Sequence, residues 1–350
     1  MKKVLSFALI ALLTLSLFAQ GASETSASSA AKEPSGELIL YTTVADAQYE
    51  MTIEAFNAKY PKIKVFYTYA GAGDCKARIQ AEAANPQADA MFGGLQFADL
   101  AAYGDYFESY VCANDSKMQP GYTNDTGKLT FHDSQIPCLV VNDKLEKELG
   151  IKVTGWNSLL DPKLKGRIAT ANPTSSSSAW NNLQCLLTDF GGWDSDAAWD
   201  YIAKLMQNGL VVVSSSSTPA KATFAGEYVV GLSYEPLAVQ LIDGGSTGAH
   251  MVFWEEGTTS VGFASAIIKG AKNLENAKLF MDFLESDEGQ KCYLDSGARP
   301  CSTSKIEGGS PNMVDLNTIN VKVADTAALA TNKKAICDKW NEYWAKYGQN

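Results

Sequence analysis

Short apolar runs alternate with longer amphipathic stretches along most of the chain. Residues 37–41, 64–69 and 88–92 are runs rich in strand-forming residues, with little room for a helix. Residues 49–60 and 74–84, which separate these runs, have the apolar spacing of helices. Strands that alternate with helices predict a parallel sheet covered on both faces.

The alternation continues through the rest of the chain. Further strands are predicted at residues 137–141, 167–171, 211–213, 228–233 and 261–269. Further helices are predicted at residues 143–149, 179–189, 199–208, 219–224, 274–284 and 326–347. Because 350 residues exceed one ordinary core, we predict two α/β lobes, each with a mainly parallel sheet flanked by helices.

The N-terminal region does not follow this pattern. Two lysines precede an apolar run at residues 4–17, which is shorter than the ~20 residues that a membrane-spanning helix needs. Residues 1–19 are therefore predicted to be a secretory signal peptide. Residues 20–36 are rich in Ser, Ala, Glu and Gly, which is typical of a flexible tether. The first cysteine is Cys75, so no cysteine is available for lipid anchoring at the cleavage site, and we expect the protein in the periplasm.

Charge and cysteine content exclude several classes of function. The formal net charge of −10 does not suit binding to nucleic acid, although it leaves room for a small anion held by local N–H groups. Of the seven cysteines, Cys292 and Cys301 are close enough in sequence to bridge one loop. With only two histidines and no CxxC motif, we expect no metal site and no cofactor. The sequence also lacks the GxSxG, Walker A and HExxH motifs of common enzymes.

One segment carries a family resemblance. Residues 262–290 read GFASAIIKGAKNLENAKLFMDFLESDEGQ, a strand, a turn and a helix that ends in Ser-x-x-Gly-Gln. This stretch resembles the signature of the ferric-iron, sugar-phosphate and phosphonate branch of periplasmic binding proteins. Residues 81–94, 226–235 and 256–258 are similar to the same branch, and the likeness runs in order from residue 38 to residue 301.

The resemblance implies a type II periplasmic binding fold, in which crossing strands join two lobes and the ligand lies in the cleft. It places lobe 1 at residues 37–136 and 258–305, lobe 2 at residues 137–257, and a C-terminal helical segment at residues 306–350. It also implies an extracytoplasmic solute-binding protein, not an enzyme, which closes on its ligand by hinge motion and delivers it to an ABC permease in the inner membrane. We expect a monomer.

Candidate ligand contacts follow the predicted strands, because ligands bind beyond the carboxyl ends of parallel strands. The candidates are Thr42, Thr43, Gly94, Gln96, Ser175, Ser176, Ser177, Ser178, Tyr234, Glu235, Glu256 and Thr258. The four serines open a helix whose free N–H groups and dipole can hold a phosphate or carboxylate, although simple N-capping is the alternative. Residues 214–218 form a second turn rich in hydroxyls, and Asp74 is expected to cap a helix.

The step Tyr234-Glu235 bears on the ligand. Ferric-binding members of the family carry two adjacent tyrosines here, so the single tyrosine of this chain argues against classical ferric binding. By resemblance to sugar-phosphate-binding members, Glu235 and Glu256 are expected to contact the sugar; a solvent-facing Glu is the alternative. We therefore predict a small anionic organophosphate of the sugar-phosphate or phosphonate type. Ferric iron held by Tyr234 with outside anions, a polyamine- or thiamine-type cation, and an extracytoplasmic enzyme on the same fold remain alternatives.

Overall fold

The computed structural model describes residues 33–44 and 46–348. The predicted signal peptide and most of the predicted tether lie outside these residues. The strands are β1 (Gly36–Thr42), β2 (Ile63–Tyr69), β3 (Ala90–Leu95), β4 (Thr130–Gln135), β5 (Pro137–Asn142), β6 (Ile168–Ala171), β7 (Val211–Val213), β8 (Val230–Tyr234), β9 (Ala249–Val252), β10 (Thr258–Thr259), β11 (Val261–Ile267), β12 (Arg299–Pro300) and β13 (Val321–Lys322).

Helices connect most of these strands. They are α1 (Asp46–Lys59), α2 (Ala72–Ala81), α3 (Leu100–Tyr103), α4 (Asp143–Leu149), α5 (Ser177–Asp189), α6 (Asp196–Gln207), α7 (Thr218–Phe224), α8 (Glu235–Asp243), α9 (Leu274–Leu284), α10 (Asp287–Asp295), α11 (Thr326–Thr331) and α12 (Lys333–Tyr347). None of the helices within residues 33–44 and 46–348 is both long and apolar enough to span a bilayer.

Two sheets define two lobes, and the predicted two-lobed α/β architecture is confirmed. The sheet of lobe 1 has the strand order β12-β4-β11-β3-β1-β2. The sheet of lobe 2 has the order β7-β6-β8-β5-β9. The chain passes from lobe 1 to lobe 2 between β4 and β5, and returns through β10 into β11. These two crossings form the hinge.

Both sheets are mixed, not mainly parallel as the alternation of elements predicts. In lobe 1, β1 pairs in parallel with β2 and β3, but β11 is antiparallel to both β3 and β4. In lobe 2, β6 is parallel to β7 and β8, whereas β5 is antiparallel to β8 and β9. The reason is the hinge: β5 and β11 each enter a lobe from the cleft side, so they run against the strands that end at the cleft.

Aromatic side chains build the core of each lobe. In lobe 2, the rings of Trp156 and Trp254 stack with centroids 4.6 Å apart. In lobe 1, Phe56 of α1 contacts Phe280 and Phe283 of α9 edge to face, at 5.2 and 5.5 Å. Full burial of such side chains contributes about 1.5–3 kcal/mol each, so these contacts fix the helices against the two sheets.

The C-terminal segment connects the hinge to lobe 2. Strand β13 pairs in parallel with β10 of the crossing, and the Nζ of Lys322 lies 2.7 Å from a carboxylate oxygen of Asp189 in α5. The single helix predicted at residues 326–347 is two helices, α11 and α12, with Asn332 between them. Ile336 and Trp340 of α12 are buried in the core of lobe 2, so this segment is part of the lobe and not a loose tail.

The disulfide that the sequence spacing would allow between Cys292 and Cys301 is not formed, and all seven cysteines are unpaired. The thiol of Cys292 faces α1 and its own helix, within 3.8 Å of the carbonyl of Met51 and 3.3 Å of that of Glu288. Cys301 belongs to a different apolar cluster, on the other side of the sheet of lobe 1. Proximity in sequence did not place the two thiols side by side.

Candidate functional site

A cavity of about 200 Å³ lies between the two lobes. Lobe 1 and lobe 2 both contribute to it, which makes it a cleft site. The lining residues are Thr43, Val44, Gln48, Tyr69, Ala70, Gly71, Ala72, Asp74, Gly93, Gly94, His132, Asp133, Gln135, Ser175, Ser176, Ser177, Ser178, Ser214, Ser215, Ser216, Tyr234, Gln240 and Phe263.

The position of the cavity follows from the topology. In lobe 1, β1 and β2 run in parallel and both end at the cavity, at Thr43 and Tyr69. In lobe 2, the parallel strands β6, β7 and β8 lead to Ser175, Ser214 and Tyr234. The carboxyl ends of parallel strands collect loops and helix N-termini, so polar groups converge there.

The four consecutive serines form the N-terminal edge of α5 at the cavity. Ser176 is the N-cap, and its Oγ accepts a hydrogen bond of 3.2 Å from the backbone N–H of Ala179. Its Oγ also lies 3.2 Å from the Oγ of Ser178. The N–H groups of Ser177 and Ser178 lie in the first turn, where an α-helix offers no acceptor for them. The structure therefore combines N-capping with free donors at the cavity, and the two roles are not exclusive.

The lobes contact each other directly beside these serines. The Oγ of Ser177 in lobe 2 donates to the carbonyl of Gly94 in lobe 1, at 2.9 Å. The N–H of Gly73 in lobe 1 donates to the carbonyl of Ser175 at 3.1 Å. This edge of the cleft is closed.

Two glycines of β3 permit the close approach of the cavity wall. Gly93 and Gly94 have φ of +77° and +76°, which disfavours any residue with a side chain. A Cβ on Gly94 would lie 2.6 Å from the Oγ1 of Thr43, and one on Gly93 would lie 2.7 Å from Val44. The predicted candidates Thr43 and Gly94 are thus packed against each other in the cavity wall.

Thr42 and Gln96, which the sequence also predicted as contacts, lie behind the cavity wall. The Oγ1 of Thr42 donates to the carbonyl of Phe92 at 3.1 Å and accepts from the N–H of Val44 at 3.1 Å. The side-chain amide of Gln96 donates to Asn181 of lobe 2 at 2.6 Å and accepts from Gln184 at 3.2 Å. Gln96 therefore joins the two lobes, and Thr42 shapes the turn after β1.

The structure places Glu235 away from the cavity. The side chain is completely buried, and both carboxylate oxygens accept hydrogen bonds of 2.7 Å from the guanidinium of Arg299. Burial raises the pKa of Glu235, and Arg299 opposes this rise without cancelling it. Glu235 begins α8 in lobe 2 and Arg299 belongs to β12 in lobe 1, so the pair fastens the hinge.

Glu256 and Thr258 have structural partners in and beside the second crossing. The carboxylate of Glu256 accepts 3.0 Å hydrogen bonds from the backbone N–H groups of Trp156 and Asn157, which begin a 3₁₀ turn. The Oγ1 of Thr258 donates to the carbonyl of Pro137 at 3.1 Å, which ties the two crossings together. Neither side chain lines the cavity.

Tyr234 does line the cavity, close to Tyr69 of the other lobe. Burial, with the nearby Tyr69, raises the pKa of Tyr234 well above that of a free phenol, so the hydroxyl stays protonated. A phenol donates and accepts hydrogen bonds, so Tyr234 offers the cavity a neutral polar group. In the described part of the chain, no group of three or more His, Cys, Asp or Glu side chains is arranged to hold a metal.

Several polar residues of the cavity were not among the predicted contacts. They are Gln48, Asp74, His132, Asp133, Gln135 and Gln240. Asp74 was expected to cap a helix, but Gly71 is the N-cap of α2 and Asp74 lies in its first turn. His132 and Asp133 belong to β4, a strand of mostly polar residues that apolar periodicity does not detect. The sequence signal that was available for β4 was the length of the segment between turn residues, which suits a strand.

Two hinged lobes with a polar cavity between them define a protein that captures a small solute. The family model "Bacterial extracellular solute-binding protein" matches residues 41–299, so the chain belongs to this family. It is a periplasmic solute-binding protein of ABC transporters, a class that binds small molecules and works with a permease.

Individual relatives extend this comparison. A protein of Haemophilus influenzae is 29% identical over 317 residues, which cover 87% of this chain and 90% of the relative. The "Putative 2-aminoethylphosphonate-binding periplasmic protein" of Salmonella typhimurium is 24% identical over 253 residues, 69% of this chain and 70% of its own. The solved structure of the periplasmic binding protein AfuA from Actinobacillus pleuropneumoniae, with fructose-6-phosphate bound, has a TM-score of 0.78 and 30% identity. It covers 88% of this chain and 98% of AfuA.

Proposed function

We propose that this protein captures a small organic phosphate or phosphonate in the cleft between its lobes and presents it to an ABC permease. The observation that carries the proposal is the N-terminus of α5 at the cavity, with Ser175, Ser176, Ser177 and Ser178 around it. Free N–H groups and the helix dipole favour an anion at this point, and hydroxyls add neutral donors.

Other neutral donors surround the same space. Thr43 adds a hydroxyl from lobe 1, and the loop with Ser214, Ser215 and Ser216 adds three from lobe 2. Among the described residues that line the cavity, none is Lys or Arg. The anion is therefore held by dipoles instead of by a formal positive charge, as neutral donors can do for tetrahedral oxyanions.

The relatives support this class of ligand. One relative is named for 2-aminoethylphosphonate, and AfuA binds fructose-6-phosphate. Both compounds join a tetrahedral phosphorus anion to a polar remainder. The cavity of about 200 Å³ is lined by hydroxyl, amide and carboxylate side chains, which fits a ligand of this plan.

The test is a binding panel on the mature protein with hexose phosphates, 2-aminoethylphosphonate, inorganic phosphate, ferric citrate, spermidine and thiamine. A ligand at 100 times its Kd stabilises the folded protein by about 2.7 kcal/mol, which raises the thermal midpoint by several degrees. We expect the shift with phosphates or phosphonates. A shift restricted to ferric citrate, or to spermidine or thiamine, would overturn the proposal.

A double variant locates the anion. Ser176→Ala with Ser177→Ala removes two hydroxyls at the cavity and is expected to weaken binding about 10- to 100-fold. Ser286→Ala is the matched control, because Ser286 also caps a helix, accepting from the N–H of Gly289 at 3.1 Å, but lies outside the cavity. Equal affinity losses in both variants would mean that the serines act only as caps.

A cationic ligand is the second candidate, and one observation favours it. The carboxylates of Asp74 and Asp133 both line the cavity, with no lysine or arginine of the described chain beside them there. A purely cationic solute such as spermidine would satisfy both carboxylates but leave the donors of α5 without an anion. The same panel separates the two candidates.

A further inference from the structure

The floor of the cavity contains a buried histidine–aspartate pair. His132 and Asp133 are adjacent in β4, the strand that leads into the hinge, and both are about 1% exposed. The Nδ1 of His132 lies 2.6 Å from the Oδ1 of Asp133. The Oδ2 of Asp133 accepts a hydrogen bond of 3.1 Å from the side-chain amide of Gln135, which also lines the cavity.

The imidazole of His132 is held rigidly by its neighbours. Its ring stacks on Tyr293, with centroids 4.8 Å apart and planes 13° apart, and it meets the edge of Phe92 at 5.9 Å. Its backbone carbonyl accepts a 2.8 Å hydrogen bond from Gln290. A ring confined on its faces can act only through its edge, and that edge is beside Asp133.

Neither ring nitrogen of His132 has a partner with good hydrogen-bond geometry among the described residues. The short distance to Asp133 is thus an electrostatic contact without a well-directed hydrogen bond. Buried polar groups are nearly always satisfied, so the two ring nitrogens of His132, without partners beside a cavity, call for a cause. The position of the imidazole suits a group that orients the Asp133 carboxylate, whose other oxygen is bound to Gln135.

The chemistry of the cavity assigns the two ends of the solute. The donors of α5 take the anion, as proposed above, and an ionised carboxylate can only accept hydrogen bonds. A carboxylate next to the phosphorus anion would repel it, so Asp133 suits the other end of the molecule. That end must carry a hydrogen-bond donor, either a hydroxyl or an ammonium group.

We propose that Asp133 is the specificity-determining residue that accepts the hydroxyl or ammonium end of the solute, and that His132 is its positioning residue. This inference rests on the proposed function. It differs from the prediction that Glu235 and Glu256 recognise the polar end, because both of those carboxylates are engaged by protein groups outside the cavity.

A series of phosphonates that differ only in one terminal group tests the assignment. The probes are 2-aminoethylphosphonate, 2-hydroxyethylphosphonate and ethylphosphonate, and calorimetry gives the Kd of each. Glucose 6-phosphate and inorganic phosphate form a second pair of probes, which tests a solute larger than these phosphonates. The wild-type protein is expected to prefer donor-bearing probes over donor-free ones by about 10- to 100-fold.

Asp133→Asn is expected to reduce this preference by a comparable factor and to leave the Kd for the donor-free probe within about threefold. The loss should be larger for the ammonium probe than for the hydroxyl probe, because the amide removes the charge but keeps an acceptor. Asp143→Asn is the matched control: Asp143 lies 2.6 Å from the Nδ1 of His250 on the surface of lobe 2.

The role of His132 is tested by the ratio of the Kd values for donor-free and donor-bearing probes, because a general loss of stability does not change this ratio. His132→Phe keeps the stack on Tyr293 but removes both nitrogens, so the preference for donor-bearing probes should fall. His132→Gln restores an N–H donor beside Asp133 and should recover part of it.

Each outcome separates the two proposals. If the wild-type protein binds none of the phosphorus compounds, the proposed function fails. If it binds them but does not prefer those with a donor, or if Asp133→Asn leaves that preference intact, the assignment of Asp133 is wrong while the proposed function stands. If Asp133→Asn does not fold, the wild-type series and His132→Phe still decide.

Discussion

Lys333 and Asp99 form an ion pair that joins the two lobes, with the Nζ 2.7 Å from the Oδ1. Asp99 follows β3 in lobe 1, and Lys333 begins α12, which packs on lobe 2. The same oxygen of Asp99 lies 2.8 Å from Lys76. Burial alone would raise the pKa of Asp99, but the two ammonium groups outweigh it and lower that pKa.

Lys333→Met should favour the open form. The variant removes the cross-lobe charge while Lys76 still neutralises Asp99, so we expect a loss of about 1–2 kcal/mol in the closed state, or roughly 5- to 30-fold in Kd. Small-angle scattering without ligand should show a larger radius of gyration. Lys334→Met is the control, since Lys334 pairs with Asp338 of the same helix on the surface. Equal behaviour of both variants would exclude a cross-lobe role.

Glu285 makes stability depend on pH. Its side chain is 1% exposed, and neither carboxyl oxygen has a hydrogen-bond partner among the described residues. Burial, reinforced by the charges of Asp115 and Asp282, raises the pKa of Glu285 to about 8. The folded state therefore holds a proton that the unfolded chain releases above its ordinary carboxyl pKa. Stability should fall as pH rises from about 4.5 to 8 and then level off.

Glu285→Gln should abolish this decline. We expect the variant to be more stable than the wild type at pH 9 by a few kcal/mol, and not more stable at pH 4.5, as measured by urea unfolding at a series of pH values. Glu288→Gln serves as control, because Glu288 is exposed and pairs with Lys59. Parallel pH profiles for wild type and Glu285→Gln would contradict the assignment.

Arg299→Ala should destabilise the protein strongly. It leaves the completely buried carboxylate of Glu235 without its partner, and breaking a buried ion pair in this way costs about 3–5 kcal/mol. The double variant Glu235→Gln with Arg299→Met removes both charges and is expected to lose less. Chemical unfolding gives the free energies of unfolding of the two variants. If Arg299→Ala were as stable as the double variant, the loss could not come from an unpaired buried charge on Glu235.

Gly94→Ala should reduce ligand affinity more than stability alone explains. The added Cβ would meet the side chain of Thr43 in the cavity wall, and the φ of +76° adds backbone strain. Gly127→Ala is the matched control, because Gly127 has a φ of +70° and nothing within 4 Å of the added atom. Calorimetric Kd values for the two variants isolate the steric effect. An unchanged Kd in Gly94→Ala would mean that the cavity wall shifts enough to accommodate the added Cβ.

The alternation of strands and helices was readable from the sequence because local periodicity encodes it. Helix α9 begins and ends where its apolar spacing predicts. The antiparallel placement of β11 was not readable, since it depends on where the chain re-enters lobe 1. Pairing between strands distant in sequence leaves no local signal.

The cavity was readable in part. Consecutive serines before a helix predict either an anion site or simple N-capping, and the structure brings all four to the cavity. The position of Glu235 beside a family motif, by contrast, does not indicate whether its side chain faces the cavity. Glu235 is held by Arg299, which lies 64 positions away, so its burial depends on tertiary contacts alone. The sequence did not predict His132 and Asp133 as cavity residues, because their strand is buried although most of its residues are polar.

The mixed sheet of lobe 1 also dictates an order of folding. All five strands of the sheet of lobe 2, β5 to β9, come from one uninterrupted stretch of chain, whereas β3 and β4 must wait for β11 to be inserted between them. As synthesis proceeds from the N-terminus, the edge of β3 stays unpaired until residue 267 has emerged. The sheet of lobe 1 can therefore be closed only after every strand of the lobe 2 sheet has been made, although the core of lobe 2 itself is completed later still, when α12 emerges.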